Sequence, residues 1–111
     1  FYRMLKRYWK YGAVRSIIVT ESGACFRDKV QQGIVNDQPR IAYFKGYLEA
    51  LHKAMRSGVK IDGYFVWTLM DNFEWSEGYD ARFGLVHVHF PTQRRTIKKS
   101  GYWWQHFLLR P

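Results

Sequence analysis

Two short runs of this sequence place a carboxylate directly after an apolar segment. The first is Val19-Thr20-Glu21-Ser22-Gly23, and the second extends from Trp67 through Glu74 to Trp75. In the second run two tryptophans bracket the carboxylate. Sugars offer hydroxyl groups, which carboxylates accept, and C–H faces, which pack on aromatic rings. These residue types at this spacing therefore indicate a carbohydrate site.

The elements around the two runs alternate between helix and strand. The pattern predicts a helix from Phe1 to about Gly12, strands at 16–20 and 63–67, a loop at 22–38, a helix from Asp37 to Gly58, a strand at 84–90, a turn at 91–93 and a helix at about 97–108. The first two strands are apolar without polar alternation, which is typical of parallel strands buried on both faces. Joined through a helix, they form a right-handed βαβ unit. Since two parallel strands alone leave bare edges, we expect a slice of a larger α/β sheet or barrel.

The helix that begins near Asp37 has the clearest boundaries. Asp37 is a candidate N-cap, Pro39 falls in the first turn, and Gly58 is a typical C-terminal glycine. Five apolar residues at helical spacing predict its buried stripe: Ile41, Phe44, Leu48, Leu51 and Met55. In the last helix, Trp104 and Leu108 are expected to share one face.

Both runs are expected on the same face of the predicted sheet. In a parallel α/β barrel the carboxyl ends of the strands surround the active site, and adjacent strands lie about 4.8 Å apart. Glu21 follows the first strand, whereas Trp67 ends the second and Glu74 follows it. A shared pocket is the functional interpretation. The alternatives are a surface carboxylate for Glu21 and simple core packing for Trp67.

Several longer blocks resemble glycoside hydrolase family 1, the β-glucosidase family. The blocks, in family order, are Thr20 to Gly23, Asp37 to Tyr43, Gly63 to Trp67, Asp71 to Trp75, Arg82 to Leu85 and Thr92 to Ser100. The resemblance covers nearly the whole chain, although Ser22 stands where the family motif Thr-Glu-Asn-Gly has asparagine. It implies an α/β fold, the C-terminal quarter of a (β/α)₈ TIM barrel, with strands 7 and 8, their flanking helices and a terminal hairpin. Residues 1–111 would then be part of a single barrel domain and not a complete one.

The resemblance also implies roles for five residues. Glu21 matches the nucleophile of a retaining mechanism, in which two carboxylates lie roughly 5–5.5 Å apart. Trp67 would stack under the sugar, Glu74 would accept hydrogen bonds from its distal hydroxyls, Trp75 would donate its indole N–H, and Phe83 would help to wall the pocket. The family's acid/base lies in an Asn-Glu-Pro motif, which this sequence lacks.

The resemblance thus implies a retaining β-glycosidase, β-glucosidase-like, that hydrolyses terminal β-linked sugars. The expected partners are a β-glycoside substrate and the N-terminal remainder of the barrel, on the same or a separate chain. By itself the chain is expected to be inactive because it lacks the acid/base segment. The alternative is a non-catalytic sugar-binding or assembly fragment.

Composition restricts other classes of function. With 111 residues and 19% aromatic residues, the chain is too apolar for a disordered segment, and no apolar stretch reaches the roughly 20 residues that span a membrane. The net charge of +9 raises the possibility of nucleic-acid binding, but the basic residues are dispersed, so we expect no nucleic acid and no membrane partner. Cys25, the single cysteine, excludes an internal disulfide, and we expect a cytoplasmic protein. His87 and His89 could form a metal pair, but without a third ligand we expect no metal and no cofactor.

Overall fold

The computed structural model describes residues 1–109. Its helices and strands follow in the order α1 (Tyr2–Trp9), β1 (Ile17–Ser22), β2 (Val30–Gln31), β3 (Ile34–Val35), α2 (Gln38–Arg56), β4 (Ile61–Val66), β5 (Val86–His89), β6 (Arg94–Ile97) and α3 (Lys99–Leu108). A single 3₁₀ turn covers Trp75–Glu77. The predicted alternation of helices and strands is confirmed, and the α/β class with it.

Strands β1 and β4 form the predicted parallel pair. Ile17 lies opposite Ile61, and Ser22 opposite Val66. The predicted burial on both faces is wrong for the described part of the chain, because Ile18 is 53% exposed and Phe65 60% exposed. Within residues 1–109 this sheet has two strands, so its apolar side chains lack the neighbours that a wider sheet would supply.

Helix α2 begins and ends where the sequence indicates, but the side chain of its N-cap residue binds a different helix. Pro39 lies in the first turn and Gly58, with φ of +90°, follows the C-cap. Asp37 occupies the N-cap position, but its side chain accepts no capping bond from a backbone N–H of its own helix. Its Oδ1 instead accepts the backbone N–H of Ser100 at 2.9 Å, in the first turn of α3. The cap of one helix thereby fixes the start of another.

The apolar core forms where α1 and α2 cover the amino-terminal halves of β1 and β4. Its buried members are Leu5, Leu51, Ala54 and Val59. The predicted stripe is wrong at Met55, which is 46% exposed, and α3 leaves Leu108 71% exposed although Trp104 is buried. Ala54 takes the inward position in the last turn of α2 because its small side chain allows close approach of α1.

A short hairpin corrects the prediction of a loop over residues 22–38. Strands β2 and β3 pair with Val30 opposite Val35. The turn between them places Gln32 and Gly33 at positive φ, 50° and 76°. A two-residue turn with both φ values positive matches the twist of a hairpin, and asparagine usually fills the first position. Because glutamine stands at the first position here, the sequence carries no typical signal for this turn.

The second hairpin is confirmed, whereas the start of the last helix is corrected. β5 pairs with β6, from Val86 opposite Ile97 to His89 opposite Arg94, around the predicted turn at 91–93. Because Ile97 is still paired in β6, α3 begins at Lys99 and not at Ile97. The hairpin therefore ends directly at the helix that closes the described fold.

The described chain is thin for its length. Its principal extents are 50 × 35 × 18 Å and its radius of gyration is 16.0 Å, against about 13 Å for a compact domain of this length. An 18 Å slab has room for one sheet and one helical layer. Within residues 1–109, no helix combines the length and apolar character needed to cross a membrane.

Candidate active site

The carboxyl ends of β1 and β4 lie side by side. Ser22 pairs with Val66, and the backbone N–H of Trp67 donates to the carbonyl oxygen of Ser22 at 2.9 Å. Gly23 permits this approach, because a Cβ atom there would lie 1.8 Å from the carbonyl oxygen of Trp67. The exposed side chain of Glu21 therefore stands at the strand end that also carries Trp67.

Trp67 and Glu74 are in direct contact. The indole Nε1 donates to Oε2 of Glu74 at 3.4 Å, a long and therefore weak hydrogen bond. The backbone N–H of Glu74 donates to the carbonyl of Gly78 at 2.6 Å and closes the loop around the 3₁₀ turn. A carboxylate has about four acceptor sites, so one indole bond leaves Glu74 capacity for hydroxyl groups of a ligand.

The two remaining aromatic candidates differ in exposure. Trp75 is 81% exposed and has a φ of +44°, so its indole is open to solvent. Phe83 is half-buried and precedes Gly84, where a Cβ atom would lie 2.3 Å from the backbone nitrogen of Asp71. Close backbone approach thus fixes the position of Phe83 relative to the loop that follows β4.

Asp71 joins that loop to the following hairpin. Its Oδ1 accepts the N–H of Gly84 at 2.9 Å and its Oδ2 accepts that of Val88 at 3.3 Å. These partners lie on β5 and directly before it, outside the loop that carries Asp71. Asn72 does act locally, donating to the carbonyl of Met70 at 3.3 Å. The buried carboxylate of Asp71 is therefore a long-range tie.

Asp71 is also one member of an alternating charge chain, which runs Asp37–Arg40–Asp28–Lys98–Asp71–Arg82. The successive N–O distances are 2.5, 2.7, 2.5, 2.8 and 3.2 Å. Five of the six side chains are at most 3% exposed, and the Arg82 side chain is 21% exposed. Three carboxylates balance three cations, so the buried group is neutral, as burial of charge requires.

The alternating charge chain connects segments that are distant in sequence. Asp28 follows β1, Asp71 follows β4, and Lys98 lies directly before α3. Arg40 also donates to the carbonyl oxygens of Ala24 and Arg82. The alternating charge chain was not predicted from the sequence. The available signal was that five of its six charged residues lie inside the family blocks, among them Lys98 and the i,i+3 pair of Asp37 and Arg40.

Ser22 carries a second buried polar cluster beside Glu21. The hydroxyl of Tyr64 donates to Oγ of Ser22 at 2.7 Å, and the hydroxyl of Tyr43 lies 3.1 Å from the same Oγ. Burial raises the pKa of both phenols above its ordinary value, against the opposing effect of the bond to Ser22. Both therefore stay protonated at neutral pH. Ser22, the residue next to Glu21, is thus bound to β4 through Tyr64 and to α2 through Tyr43.

The two histidines of β5 have different surroundings. His87 is 7% exposed, and its Nδ1 has no partner among the described residues. Burial lowers the pKa of His87, with Arg82 as a further cause. His89 is exposed and its Nδ1 lies 2.7 Å from Oγ1 of Thr92. Within residues 1–109, no group of three or more His, Cys, Asp or Glu side chains is arranged to hold a metal ion.

A groove of about 420 Å³ lies between α2 and α3, away from the candidate residues. It is lined mainly by apolar side chains, among them Leu48, Met55, Trp103 and Phe107. None of Glu21, Trp67, Glu74, Trp75 or Phe83 lines it. The candidate site is thus an edge of exposed and half-buried groups at the strand ends.

Known proteins resemble this chain over most of its length. The profile of glycosyl hydrolase family 1 matches residues 1–110. The β-glucosidase A of Thermotoga maritima is 47% identical over 104 residues, covering 93% of this chain and 23% of its own length. The 1,4-β-D-glucan glucohydrolase of Thermotoga neapolitana is 45% identical over 108 residues. A 6-phospho-β-galactosidase of Clostridium acetobutylicum is 47% identical over 96 residues.

Solved structures agree in backbone as well as in sequence. A family 1 β-glucosidase from Thermotoga maritima superposes with a TM-score of 0.94 at 45% identity, covering 96% of this chain and 24% of that one. The Thermotoga maritima β-glucosidase in complex with deoxynojirimycin gives a TM-score of 0.93. The chain thus spans about a quarter of the length of the relatives it matches. It covers 24% of the solved family 1 β-glucosidase and 23% of the β-glucosidase A of Thermotoga maritima.

Proposed function

The chain belongs to glycosyl hydrolase family 1, and from that premise we propose that it contributes the nucleophile and part of the sugar pocket of a retaining β-glycosidase. The observation that carries the proposal is the common strand end of Glu21 and Trp67, joined by the bond between the Trp67 N–H and the Ser22 carbonyl at 2.9 Å. It is there that the barrel architecture presents catalytic groups.

In the proposed reaction, the Glu21 carboxylate attacks the anomeric carbon of a terminal β-linked sugar. The bond to the aglycone oxygen breaks as a carboxylic acid from the remainder of the barrel donates its proton. The same group, now a carboxylate, then deprotonates water, which attacks the glycosyl-enzyme ester and releases Glu21. Two inversions return the β configuration. The exposed side chain of Glu21 suits direct approach of a substrate.

Sugar recognition is assigned to the Trp67–Trp75 run. Trp67 stacks on the C–H face of the sugar, and Glu74, oriented by the Trp67 indole at 3.4 Å, accepts hydrogen bonds from distal hydroxyls. The solvent-open Trp75 donates its N–H to another hydroxyl, and the half-buried Phe83 walls the pocket. A charged acceptor and aromatic faces are the groups that hold neutral sugars tightly.

Glu74 also selects between the two kinds of substrate named for the relatives, which include a β-glucosidase and a 6-phospho-β-galactosidase. A carboxylate placed to accept distal hydroxyls repels a phosphate dianion at the same position. Like charges brought together in a desolvated site cost several kcal/mol, which is enough to separate a specific partner from a wrong one. The proposed substrates are therefore unphosphorylated β-glycosides, with β-glucosides first.

We further propose that residues 1–111 form part of a single barrel domain, its C-terminal quarter with strands 7 and 8. Support comes from the 24% coverage of the β-glucosidase chain and from the two-stranded parallel sheet with exposed Ile18 and Phe65. The N-terminal remainder, on the same or a separate chain, would cover these side chains and supply the acid/base. Burial of apolar surface would drive that association.

The test uses an assembled enzyme, in which this chain is co-expressed with the Thermotoga maritima β-glucosidase lacking the segment that matches it. Assembly should restore hydrolysis of an aryl β-glucoside. Glu21→Ala should lower turnover roughly 10³-fold or more, in the range that loss of a nucleophile produces, whereas Glu49→Ala, an exposed carboxylate on α2, should not. With Glu21→Gly, azide should restore cleavage of a dinitrophenyl β-glucoside and yield the α-glycosyl azide.

Unchanged turnover in Glu21→Ala would refute the assignment of the nucleophile. A 6-phospho-β-glucoside, offered to the same assembled enzyme, should be cleaved at least about tenfold more slowly than the glucoside. Equal rates would contradict the role given to Glu74 but not that of Glu21.

A second candidate function needs no acid/base group, and this sequence contains no Asn-Glu-Pro. The isolated chain would then be a non-catalytic sugar-binding or assembly fragment. Titration with glucose, followed by tryptophan fluorescence, distinguishes the two. Saturable binding without any gain of hydrolysis on assembly would favour the second candidate.

A further inference from the structure

The centre of the alternating charge chain is the ammonium group of Lys98, which is completely buried. Its Nζ lies 2.5 Å from Oδ2 of Asp28 and 2.8 Å from Oδ1 of Asp71. Asp28 belongs to the segment that follows Glu21, and Asp71 to the segment that precedes Glu74. One cation therefore binds both segments that carry the candidate site.

The outer members of the chain extend this connection toward the site residues. Arg40 donates to the carbonyl of Ala24, three residues after Glu21, at 3.3 Å. It also donates to the carbonyl of Arg82, directly before Phe83, at 2.5 Å. The backbone on either side of the pocket is thus held by the same set of charges.

Burial makes these contacts obligatory. An ammonium group without water is tolerated only when acceptors surround it, so Asp28 and Asp71 must keep their positions around Nζ. If the cation is removed, Asp28 still pairs with Arg40 and Asp71 with Arg82, but no positive charge lies between the two carboxylates, which then repel each other and separate. The distance between the segments after β1 and after β4 then changes, and with it the distance between Glu21 and Glu74.

We propose that Lys98 is a positioning residue, whose ammonium group sets the spacing between the nucleophile segment and the hydroxyl-binding loop so that both act on one sugar ring. The inference rests on the function proposed above. It assigns Lys98 no contact with substrate. Displacement of a positioned group by about 1 Å can lower a rate about 10²-fold, so its effect should be catalytic as well as structural.

The experiment compares Lys98→Met with Lys99→Met in the assembled enzyme. Methionine is unbranched and uncharged and is one heavy atom shorter than lysine, and Lys99 is the exposed neighbour at the start of α3. For each variant kcat and KM are measured with an aryl β-glucoside and with its 6-deoxy counterpart, at a temperature where circular dichroism shows both to be folded.

We expect Lys98→Met to lower kcat/KM for the glucoside by 10- to 100-fold, an order-of-magnitude range for misplaced groups. It should also bring the ratio of kcat/KM for the glucoside to kcat/KM for its 6-deoxy counterpart toward one. Lys99→Met should change neither. The loss of discrimination is the decisive readout, because a purely structural lysine would lower the melting temperature without altering the ratio for the folded fraction. An unchanged ratio overturns the proposal.

Asp28→Asn provides a second variant in case Lys98→Met does not fold. It removes one arm of the bridge but leaves the Lys98–Asp71 and Arg40–Asp37 pairs. The ratio should shift in the same direction by a smaller factor, and an unchanged ratio again overturns the proposal. Glu21→Ala separates the two hypotheses: retained turnover there refutes the proposed function, whereas inactive Glu21→Ala with an unaltered Lys98→Met ratio refutes only the positioning role.

Discussion

The amino ends and the carboxyl ends of β1 and β4 are held together by opposite kinds of interaction. At the amino ends, Ile17 and Ile61 pack with α1 and α2 in an apolar cluster around Leu5 and Leu51. At the carboxyl ends, the surrounding loops are joined by the alternating charge chain and by the Ser22 hydroxyl cluster. Apolar contacts are non-directional, whereas buried ion pairs require particular atoms at hydrogen-bonding distance and angle. The end that carries the candidate site is thus the end with directional contacts.

The difference suggests a division of roles within one sheet. Apolar clusters accept substitutions of similar volume at a cost below about 1.5 kcal/mol. A buried charge that loses one partner costs about 3–5 kcal/mol. The amino ends can therefore stabilise the fold with many sequences, and the carboxyl ends specify one arrangement of loops.

The largest expected effect comes from breaking the charge chain at Arg40. Arg40→Met removes the cation that pairs with Asp37 and one of the two that pair with Asp28, and should destabilise the assembled enzyme by about 3–5 kcal/mol. The exposed pair of Lys60 and Asp62, 3.5 Å apart, provides the control, since Lys60→Met should cost less than about 1 kcal/mol. Thermal unfolding compares the two. Equal losses would contradict the contrast between buried and surface charges.

A smaller effect should follow from separating the two strand ends at Gly23. Gly23→Ala places a Cβ atom 1.8 Å from the Trp67 carbonyl oxygen, so β1 and β4 must part and activity on an aryl β-glucoside should fall by about 10²-fold. Gly46→Ala is the matched control in α2, where nothing lies within 4 Å. It should stabilise the helix by about 0.5–1 kcal/mol. Full activity of Gly23→Ala would show that the strand ends tolerate separation.

The smallest expected effect is a pH dependence at His87. Burial, with Arg82 and Lys98, lowers its pKa in the folded state, while Asp71 and Asp28 act in the opposite direction. The unfolded chain therefore binds a proton first as the pH falls below about 6.5, and stability conferred by neutral His87 is lost from there downward. The free energy of unfolding in urea should be measured for wild type and His87→Gln between pH 5 and 7.5. Plotted against pH, the two free energies should converge at low pH. Parallel curves would contradict the assignment.

Sequence patterns predicted the elements whose signals are local. The parallel pairing of β1 with β4, the first turn of α2 at Pro39 and the turn at 91–93 all follow from short patterns that the structure confirms. Errors arose where packing decides. Met55 fits the helical stripe but is 46% exposed, because it lines the open groove between α2 and α3 and not the core. The β2–β3 hairpin was missed because its turn contains Gln32 in place of asparagine.

The sequence alone determined the family, the order of helices and strands apart from the β2–β3 hairpin, and the candidate residues Glu21, Trp67 and Glu74, because these are set by residue types at short spacing. Only the tertiary structure decided the partners of Lys98, whose contact with Asp28 spans 70 positions. Such a contact carries no local signal. A buried lysine and a surface lysine look identical in sequence, and the fold distinguishes them by removing water from one and placing two carboxylates around it.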